Sequence, residues 1–556
     1  MTAPERAFSP LFVRAAHALP CAVLPVRLLA SIPLRLLLVC WIAYSAFFAT
    51  NVVREHYPAF ALIERGDWVC DRYYGMHADL FRHTDGHVYT GNNLMGSLIA
   101  VPPLLVLDPV LDALEERSLR KLAEQPEVDA TYDTKYPLRR EMFRKVKQAG
   151  LDLRFGASTA ITSALLMAPL CAGLVVLMYV ELRRRLVDER RAVWLALLFA
   201  FATPLFYRSA HLNHNVFLMA VLFGAFALLW RELESPTPSL ARRAGAGLLC
   251  GMAISLDYAG VVPAGMLALY FVVERARSAG LARSLSDALA SVLAALPPIA
   301  FLLGTQWAMY GNAFTPGQFV MPDQNEYVHE GARGIALPSP EVFLKNLLSP
   351  SWGLLPFAPL LAFAFLPTFR LHDADLVLPR RERRWVWACT LAFLLFCAMN
   401  VYSLLQFNTG IRYLLPVVPL LFLAASDHFA RLERRSLVAL SVAVLAHALV
   451  LSMMREVSDT ENDLRHIATR AGVWAPQLDG YWTVLLTQTA VPASWIRLFD
   501  EGPQLPWLTV LAQTNPRATW LAGPLLPSVL IAGTGAVCWL IWRLGERAAA
   551  RASNAG

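Results

Sequence analysis

Charged residues are scarce in this sequence. Asp, Glu, Lys and Arg together make up 16% of the 556 residues, whereas hydrophobic residues make up 56% and the mean hydropathy is +0.45. Soluble domains usually contain about 25% charged residues. The shortage of charge excludes an ordinary soluble domain and predicts a protein that is embedded in a membrane.

Paired cysteine motifs are absent as well. No two of the eight cysteines form a C-x-x-C motif, and most of them lie within apolar runs: Cys40, Cys171, Cys250, Cys389, Cys397 and Cys538. A disulfide framework and a zinc-finger type of site are therefore excluded. The sequence also has no repeat of fixed period and no low-complexity tract.

Nucleic acid is not an expected partner, despite the formal net charge of +7. The arginines occur in short clusters between apolar runs, which is the distribution that orients a protein in a bilayer. Residues 1–32 alternate arginine with apolar clusters and lack a small-residue cleavage site that is followed by a soluble domain. We therefore predict a cytoplasmic, interfacial segment there and not a removed signal peptide.

Apolar runs that could cross a bilayer recur along the chain. A transmembrane helix needs about 20 apolar residues. On this basis the sequence predicts an all-α polytopic membrane protein with about twelve transmembrane helices, packed among membrane lipids. The predicted spans are 33–52, 157–180, 192–207, 213–230, 244–257, 259–274, 286–308, 352–369, 386–404, 412–426, 436–453 and 521–542.

The arginine distribution gives the predicted orientation and domain organisation. If the N-terminus is cytoplasmic, all six loops that must face the cytoplasm are rich in arginine, as short cytoplasmic loops are expected to be. The predicted location is therefore the bacterial inner membrane, with both termini in the cytoplasm. A catalytic bundle covers 33–453 with a long first outer loop at 53–156, an extracytoplasmic interfacial segment covers 454–520, and 521–556 holds the last span and a basic tail.

Polar residues concentrate between Glu64 and Pro103, in the first outer loop. An aspartate at the outer mouth of a span can take a proton from an acceptor hydroxyl while it is partly desolvated. Asp71 is the first candidate for that role, and Asp67, Asp79 and Asp85 compete with it. The alternative is that Asp71 pairs with a neighbouring arginine and only shapes the loop.

A turn rich in glycine and asparagine, Val88–Gly96, precedes the next apolar run. It contains Tyr89, Asn92 and Asn93. A helix that starts after such a turn presents free backbone N–H groups that can hold a phosphate. Asparagine is equally a good helix cap, so a purely structural role is the alternative.

A short outward turn contains Arg208, His211 and His214. Two histidines three residues apart could ligate a divalent metal, but no carboxylate beside them in the sequence completes such a site. Hydrogen bonding to a phosphate or to the loop, with Arg208 strengthening the anion interpretation, is the favoured prediction.

Four further outward residues are candidates for substrate binding. Asp257 lies in a tight hairpin, where its alternative role is to form the turn. Lys345, Arg412 and Tyr413 lie near the ends of later apolar runs. A cation at the outer face could clamp a leaving phosphate, whereas snorkelling to lipid head groups is the alternative.

The order of the short motifs resembles a known superfamily. Between Asn51 and Pro419 the chain presents, in this order, E-R-G-x-x-x-x-D-x-Y, D-G-H-x-Y-T-G-N-N, A-T-P-L-F-Y-R-S-A-H-L-N-H-N, G-M-A-I-S-L-D-Y, L-L-S-P-S-W-G-L-L and G-I-R-Y-L-L-P-V-V-P. This series resembles the glycosyltransferase C superfamily, in particular the bacterial members related to protein mannosyltransferases and to the aminoarabinose transferase of lipid A.

The resemblance implies a glycosyltransferase C-like bundle that takes a sugar from a polyprenyl-phosphate donor and inverts the anomeric centre. In the family an aspartate of the first outer loop serves as the base or binds the acceptor. That role maps onto Asp71, with Asp79 second.

One departure from the family concerns the donor phosphate. Many relatives have a lysine followed by prolines in the first outer loop, thought to engage this phosphate, where this chain has Asn92 and Asn93. The departure shifts the predicted phosphate contact to Arg208, Lys345 and Arg412.

The sequence therefore predicts an inverting, hexosyltransferase-type membrane glycosyltransferase that acts on an extracytoplasmic hydroxyl of a lipid, glycan or protein acceptor. Two rivals stay open: a multi-span transporter or flippase of a lipid-linked sugar, and a non-catalytic assembly partner. The chain shows no paired halves of the kind that many transporters have. No cofactor is predicted with certainty, and a divalent metal is left open.

Overall fold

The computed structural model describes residues 26–50, 52–77, 79–124, 137–321, 334–350, 353–369, 371–400, 403, 411–454, 490–514, 518, 520–521 and 523–555. Most of the predicted segments 1–32 and 454–520 lies outside these residues. The described chain is helical throughout, apart from connecting loops and one two-stranded hairpin.

The helices of the first part of the chain differ widely in length. They are α1 (Ile32–Ala46), α2 (His56–Arg65), α3 (Met95–Val106), α4 (Asp108–Glu124), α5 (Pro137–Gln148), α6 (Asp152–Thr162), α7 (Ala168–Arg185), α8 (Glu189–Phe201), α9 (Leu205–Arg208) and α10 (His214–Glu234). A π-helical turn, Ser163–Met167, joins α6 to α7.

The remaining helices follow the same alternation of long and short elements. They are α11 (Leu240–Leu256), α12 (Val261–Ala279), α13 (Leu281–Tyr310), α14 (Pro340–Leu348), α15 (Leu354–Phe357), α16 (Arg380–Ala398), α17 (Val418–Phe429), α18 (Arg434–Met454), α19 (Ala490–Glu501), α20 (Pro506–Thr514) and α21 (Leu525–Ala555).

Several of these helices begin at a residue whose side chain caps them. Asp188 accepts hydrogen bonds from the first backbone N–H groups of α8, Asn213 does so for α10, and Ser239 does so for α11. Such caps satisfy backbone donors that have no partner within the helix. The polar residues between apolar runs therefore decide where these helices start.

Within the described residues, six helices are long and apolar enough to cross a membrane, or seven if the pair α3 and α4, bent by 80°, forms one span. The six are the continuous α6–α7, α10, α12 with the 3-10 turn before it, α13, α18 and α21. Shorter apolar helices occur at α1 and Leu415–Phe429. The chain is an all-α, multi-pass membrane protein, as its composition predicts.

The predicted span 352–369 is not one continuous helix. The short α15 and a 3-10 helix, Pro359–Phe365, occupy its described part. Pro356 and Pro359 have no backbone N–H to donate to a helical carbonyl. The segment is apolar throughout, so its hydropathy predicts a span, but its prolines interrupt the helix.

Two glycines allow α11 and α13 to pack closely. A side chain at Gly247 would collide with the backbone of Ser291, and one at Gly251 would collide with the backbone of Ala295. Glycines spaced four residues apart let helix backbones approach each other inside a membrane. This contact fixes the end of α11, which carries Asp257.

The hairpin lies in the predicted first outer loop and consists of β1 (Leu80–Arg82) and β2 (Val88–Thr90). The strands are antiparallel, with Leu80 opposite Thr90. Gly86 supplies the positive φ of 90° that the turn requires. The hairpin packs on the end of α13 through a small apolar cluster of Phe81, Tyr89, Leu94, Met309 and Tyr310.

Candidate functional site

Ionisable residues from five separate segments of the chain meet at one place in the fold. We call this group the polar cluster: Arg54, Glu55, Asp79, His214, Asp257 and Arg412. Four of its members, namely Asp79, His214, Asp257 and Arg412, are site residues that the sequence predicted. The structure therefore brings together candidates that are far apart in the chain.

His214 lies at the centre of the buried part of the cluster. Its Nδ1 atom lies 2.6 Å from Oε1 of Glu55, and its Nε2 atom lies 3.2 Å from Oδ2 of Asp257. The amide nitrogen of Asn215 is 3.0 Å from the same Nε2 atom. Nδ1 of His214 thus faces one carboxylate, and Nε2 faces both a second carboxylate and an amide nitrogen.

The loop that carries His214 is held from both sides. The carbonyl of Ala210 accepts hydrogen bonds from the backbone N–H of Ala49, at 2.7 Å, and from the hydroxyl of Ser163, at 2.9 Å. Ser163 begins the π-helical turn in the long α6–α7 helix. A π-helical turn frequently occurs at a functional site, and here it fastens the loop just before the predicted histidines.

Asp257 stands where α11 ends and the next turn begins. Its Oδ1 accepts a hydrogen bond from the backbone N–H of Ala259 at 2.8 Å, while Oδ2 faces His214. The turn-forming role that the sequence left as an alternative is therefore present. It coexists with the contact to His214, so one carboxylate serves both the fold and the cluster.

Asp79 forms the exposed edge of the cluster together with Arg54. The Nη1 atom of Arg54 donates to Oδ2 of Asp79 at 2.8 Å, and the Nε atom of Arg54 lies 3.8 Å from Glu55. The carbonyl of Asp79 accepts the backbone N–H of Gly91 at 3.1 Å. This bond places the turn before α3 beside the cluster.

The exposure of the cluster is graded from one side to the other. Glu55 and His214 expose only 4% and 8% of their side chains, whereas Asp257 exposes 20% and Asp79 exposes 28%. Protein atoms nevertheless surround Asp79 and Asp257 on most sides. The two aspartates therefore lie in a recess and not on a convex surface.

Positive charge keeps the aspartates of the cluster ionised. Burial alone would raise the pKa of Asp79, but Arg54 and, less strongly, Arg412 lower it below the ordinary value of 3.8. For Asp257, burial is again opposed by the hydrogen bond to His214 and by the charge of Arg412, and the pKa is also lowered. Both carboxylates are therefore anionic at neutral pH.

Glu55 follows the same pattern although it is the most buried carboxylate of the cluster. Burial raises its pKa, but the hydrogen bond from His214 and the charges of His214 and Arg54 outweigh that effect and lower the pKa well below 4.5. The neighbouring His56 behaves oppositely, because burial lowers its pKa to about 4. At neutral pH Glu55 is thus charged and His56 is neutral.

The first turn of α3 packs on the buried side of the cluster. A Cβ atom added to Gly96 would lie 3.3 Å from Cγ of Glu55 and 3.6 Å from Cβ of His214. A Cβ atom at position 96 would therefore be in tight contact with Glu55, whose side chain would have to shift by a few tenths of an ångström. Asn92 and Asn93 lie in the turn just before this helix and are partly buried.

Asp71, the first predicted catalytic residue, lies at the hairpin with both of its oxygens engaged. Its Oδ1 accepts the backbone N–H of Val88 at 2.7 Å, and its Oδ2 lies 3.0 Å from Nδ1 of His87. The side chain is 40% exposed. In the described structure Asp71 has the loop-shaping role that the sequence left as the alternative, although its partner is a histidine and not an arginine.

Tyr89 also belongs to the hairpin. Its hydroxyl donates to Oδ2 of Asp85 at 3.0 Å, and its ring meets that of Tyr310 edge to face. These contacts hold the hairpin against α13. They give Tyr89 a structural role beside the cluster.

Arg208 acts on the segment of Arg412 through the backbone. The guanidinium of Arg208 is fully buried and donates to the carbonyl of Ile411, with its Nε atom at 2.7 Å. Arg412 lies over the ring of Tyr413, 5.0 Å from the ring centroid. His211 is buried in the loop between Arg208 and His214. Arg208 is therefore placed to position Arg412.

The described contact of Lys345 is with its own helix and not with the polar cluster. It is on α14, its side chain is 46% exposed, and its ammonium group pairs with Glu341 at 2.5 Å one turn earlier. A pair of this kind on an exposed helix face is a common surface feature. Among the described residues, the ion pair of Lys345 is with Glu341 and not with a member of the polar cluster.

Sequence reasoning missed Arg54 and Glu55. Both follow the first apolar run directly, in the motif N-V-V-R-E-H-Y. Charged residues at the mouth of a span are a signal for function, and this signal was available. It was overlooked because the acidic stretch from Glu64 onward is denser in polar residues.

No group of three or more His, Cys, Asp and Glu residues in the described part of the chain is arranged to hold a metal ion. His211 and His214 do not form a pair of ligands there, since His214 uses both ring nitrogens toward carboxylates. Within the polar cluster, Arg54 forms ion pairs with Asp79 and Glu55.

Comparison with known proteins gives a likeness in structure. No family model and no curated protein matches the sequence. Among solved structures, the chain is similar to ArnT from Cupriavidus metallidurans in the apo state, with 14% identity and a TM-score of 0.42 over 93% of this chain and 77% of that one. It is also similar to the same protein bound to undecaprenyl phosphate, with 14% identity and a TM-score of 0.44 over 94% and 77% of the two chains.

Proposed function

We propose that this protein is a membrane glycosyltransferase of the glycosyltransferase C superfamily. It transfers a sugar from a polyprenyl-phosphate donor to an acceptor hydroxyl, with inversion at the anomeric carbon. The single observation that carries the proposal is the convergence of Asp79, His214, Asp257 and Arg412 in one recess. The order of sequence motifs supplies the donor class.

Asp79 is the best-placed proton acceptor among the candidates. Both oxygens of Asp71 and both oxygens of Asp257 already accept hydrogen bonds or face a histidine. Asp79 uses Oδ2 for Arg54, and among the described residues no group donates to its Oδ1. An ionised carboxylate with one oxygen that accepts no hydrogen bond from the described residues can take the proton of a hydroxyl as the new bond forms.

Arg412 is the best-placed cation for the leaving phosphate. Its charge acts on Asp79 and on Asp257, so it lies near both of these partly buried carboxylates. A guanidinium can donate to two phosphate oxygens at once. Arg208 donates a hydrogen bond to the carbonyl of Ile411 and so positions the backbone next to Arg412.

These roles combine into one displacement. The acceptor oxygen attacks the anomeric carbon of the sugar while its proton moves to Oδ1 of Asp79. The bond between the anomeric carbon and the phosphate oxygen breaks, and its electron pair leaves with the polyprenyl phosphate, whose charge Arg412 stabilises. A single displacement of this kind inverts the anomeric centre.

The proposed setting follows from the predicted topology. The recess lies at the extracytoplasmic end of the bundle in the bacterial inner membrane, and both termini are cytoplasmic. The acceptor is a lipid, glycan or protein hydroxyl that reaches this side.

A transfer assay tests the function and separates it from its rivals. The purified protein in nanodiscs is incubated with a panel of undecaprenyl-phosphate sugars and with extracted membrane lipids, glycans and periplasmic proteins as acceptors. We expect release of undecaprenyl phosphate that depends on one sugar and one acceptor class. Movement of the intact donor across the bilayer, without release, would instead identify a flippase. If neither release nor movement is observed, the assembly partner is the alternative that remains.

A further inference from the structure

The peptide group between Thr90 and Gly91 connects the backbone of Asp79 to the end of α13. Its N–H donates to the carbonyl of Asp79 at 3.1 Å, and its carbonyl accepts the hydroxyl of Tyr310 at 2.5 Å in a buried hydrogen bond. The atoms of a peptide group lie in one plane. A change in the direction of its carbonyl therefore changes the direction of its N–H, so the two hydrogen bonds depend on each other.

The ring of Tyr310 is held in place independently of its hydroxyl. It is stacked on the ring of Phe81 and meets the ring of Tyr89 edge to face, with centroids 6.3 and 6.2 Å away. Such ring contacts are retained when tyrosine is replaced by phenylalanine. Loss of the hydroxyl would therefore remove a hydrogen-bond donor from the carbonyl of Thr90 and leave the packing of the ring intact.

The segment that follows α13 returns to the same peptide group. A Cβ atom at Gly317 would collide with the hydroxyl of Tyr310 and would lie 3.0 Å from the carbonyl carbon and oxygen of Gly91. A Cβ atom at Gly91 would collide with the sulfur of Met321. Glycine permits this close approach because it has no Cβ atom. The segment 317–321 therefore packs directly against the peptide group that Tyr310 contacts and limits its movement.

One turn before Tyr310, the buried side chain of Gln306 contacts the segment of the other aspartate of the recess. Its amide donates a hydrogen bond to the hydroxyl of Tyr258, which follows Asp257 directly in the chain. Residues four positions apart lie on the same face of a helix. One face of α13 therefore contacts the segment of Asp257 through Gln306 and the segment of Asp79 through Tyr310.

We propose that the end of α13 sets the position of Asp79 relative to Asp257, and that Tyr310 is the positioning residue of the proposed base. Its hydroxyl fixes the peptide group that holds the backbone of Asp79. The inference rests on the proposed function, because the base belongs to that reaction. Tyr310 acts through Asp79 and not on the substrate. A misplaced base slows the reaction even when the substrate binds normally.

The test compares Tyr310→Phe with Tyr44→Phe in the full-length protein in nanodiscs. Tyr44 is the matched control, because its buried hydroxyl also donates to a backbone carbonyl, that of Ala200, at 2.9 Å. Neither residue of this control pair belongs to the polar cluster or to the hairpin. Monodispersity and thermal stability are recorded for each variant, together with the affinity for undecaprenyl phosphate.

Three measurements give the expected pattern. We expect Tyr310→Phe to lower kcat for undecaprenyl phosphate release by about tenfold, because the base is displaced. The affinity for undecaprenyl phosphate should stay the same. Hydrogen exchange at the amide of Gly91 should become faster, because that amide belongs to the peptide group that the hydroxyl fixes. Tyr44→Phe should change neither kcat nor the exchange of this amide.

A double-mutant cycle with Asp79→Asn decides whether Tyr310 acts through Asp79. When Asp79→Asn is already present, adding Tyr310→Phe should lower kcat by less than about twofold. A full kcat in Tyr310→Phe, an equal loss in both backgrounds, or unchanged exchange at Gly91 overturns the inference while the proposed function stands. Absence of release by the wild type, with every donor and acceptor of the transfer assay, overturns both.

Discussion

The Nδ1 atom of His214 lies 2.6 Å from Oε1 of Glu55, although 159 positions of sequence separate the two residues. One residue follows the first apolar helix and the other opens α10. Their contact joins the predicted first outer loop to the start of α10, and Asp257 extends it to the end of α11. The recess therefore depends on the packing of the whole bundle and not on one loop.

Gly96 provides a test of this packing. We expect Gly96→Val to displace Glu55 or His214, because even a Cβ atom at position 96 would lie 3.3 Å from Cγ of Glu55. Displacement of groups at a reaction centre is costly, so undecaprenyl phosphate release should fall by about tenfold or more while the protein still folds. The measurement is the rate of release in the transfer assay.

Gly265→Val is the matched control for this substitution. It introduces the same β-branched residue into a helix, α12, but no atom lies within 4 Å of the added Cβ. Release should stay close to that of the wild type. Equal losses in the two variants would argue against a specific contact between α3 and the polar cluster.

Lys345 provides the opposite test, because the sequence predicted a phosphate contact that the structure does not favour. The exposed pair of Lys345 with Glu341 contributes little to stability or charge at the recess. We expect Lys345→Met to keep the rate of release within about twofold of the wild type. A large loss in donor affinity would instead restore Lys345 to the phosphate site.

The pair of His87 and Asp71 should make the hairpin sensitive to pH. The hydrogen bond to Asp71 raises the pKa of His87 above 6.5. Burial raises the pKa of Asp71, but the hydrogen bonds from His87 and Val88 outweigh this effect and lower the pKa below 3.8. Because folding raises the pKa of His87, the pair stabilises the hairpin fully below pH 6.5. This stabilisation is lost as the pH rises through the pKa that His87 has in the folded protein. The lowered aspartate pKa means that it is also lost in acid, below 3.8.

Hydrogen exchange of the hairpin checks this window. At about pH 5 the amides of β1 and β2 should exchange more slowly in the wild type than in His87→Asn, and at about pH 8 this difference should shrink. Comparing the two proteins at each pH cancels the intrinsic pH dependence of exchange. A difference of the same size at both pH values would show that the charge of His87 does not stabilise the hairpin.

Part of this site could be predicted because it depends on local sequence. Polar residues that interrupt apolar runs are visible in the sequence, and the loop charges assign them to one side of the membrane. His214, Asp257 and Arg412 were found in this way. Since helices of similar length bring their ends to the same level, such residues are expected to share one end of the bundle.

The rest could not be predicted because it depends on contacts between distant segments. Asp71 and Asp79 are alike in sequence, and only the fold shows that Val88 and His87 occupy the oxygens of Asp71. The burial of Arg208 against the carbonyl of Ile411 likewise depends on a contact across 203 positions. The proline-rich segment 352–369 resembled a span because mean hydropathy does not register the loss of backbone donors.

The most direct test of the account compares Asp79→Asn with Asp71→Asn. The two substitutions are identical in chemistry, and each removes one carboxylate from the predicted first outer loop. Because general base catalysis contributes about a hundredfold or more, Asp79→Asn should lower the rate of undecaprenyl phosphate release by at least that factor, with donor binding retained. Asp71→Asn should keep most of the rate. Full activity of Asp79→Asn together with an inactive, well-folded Asp71→Asn would contradict the assignment of the polar cluster as the transfer site.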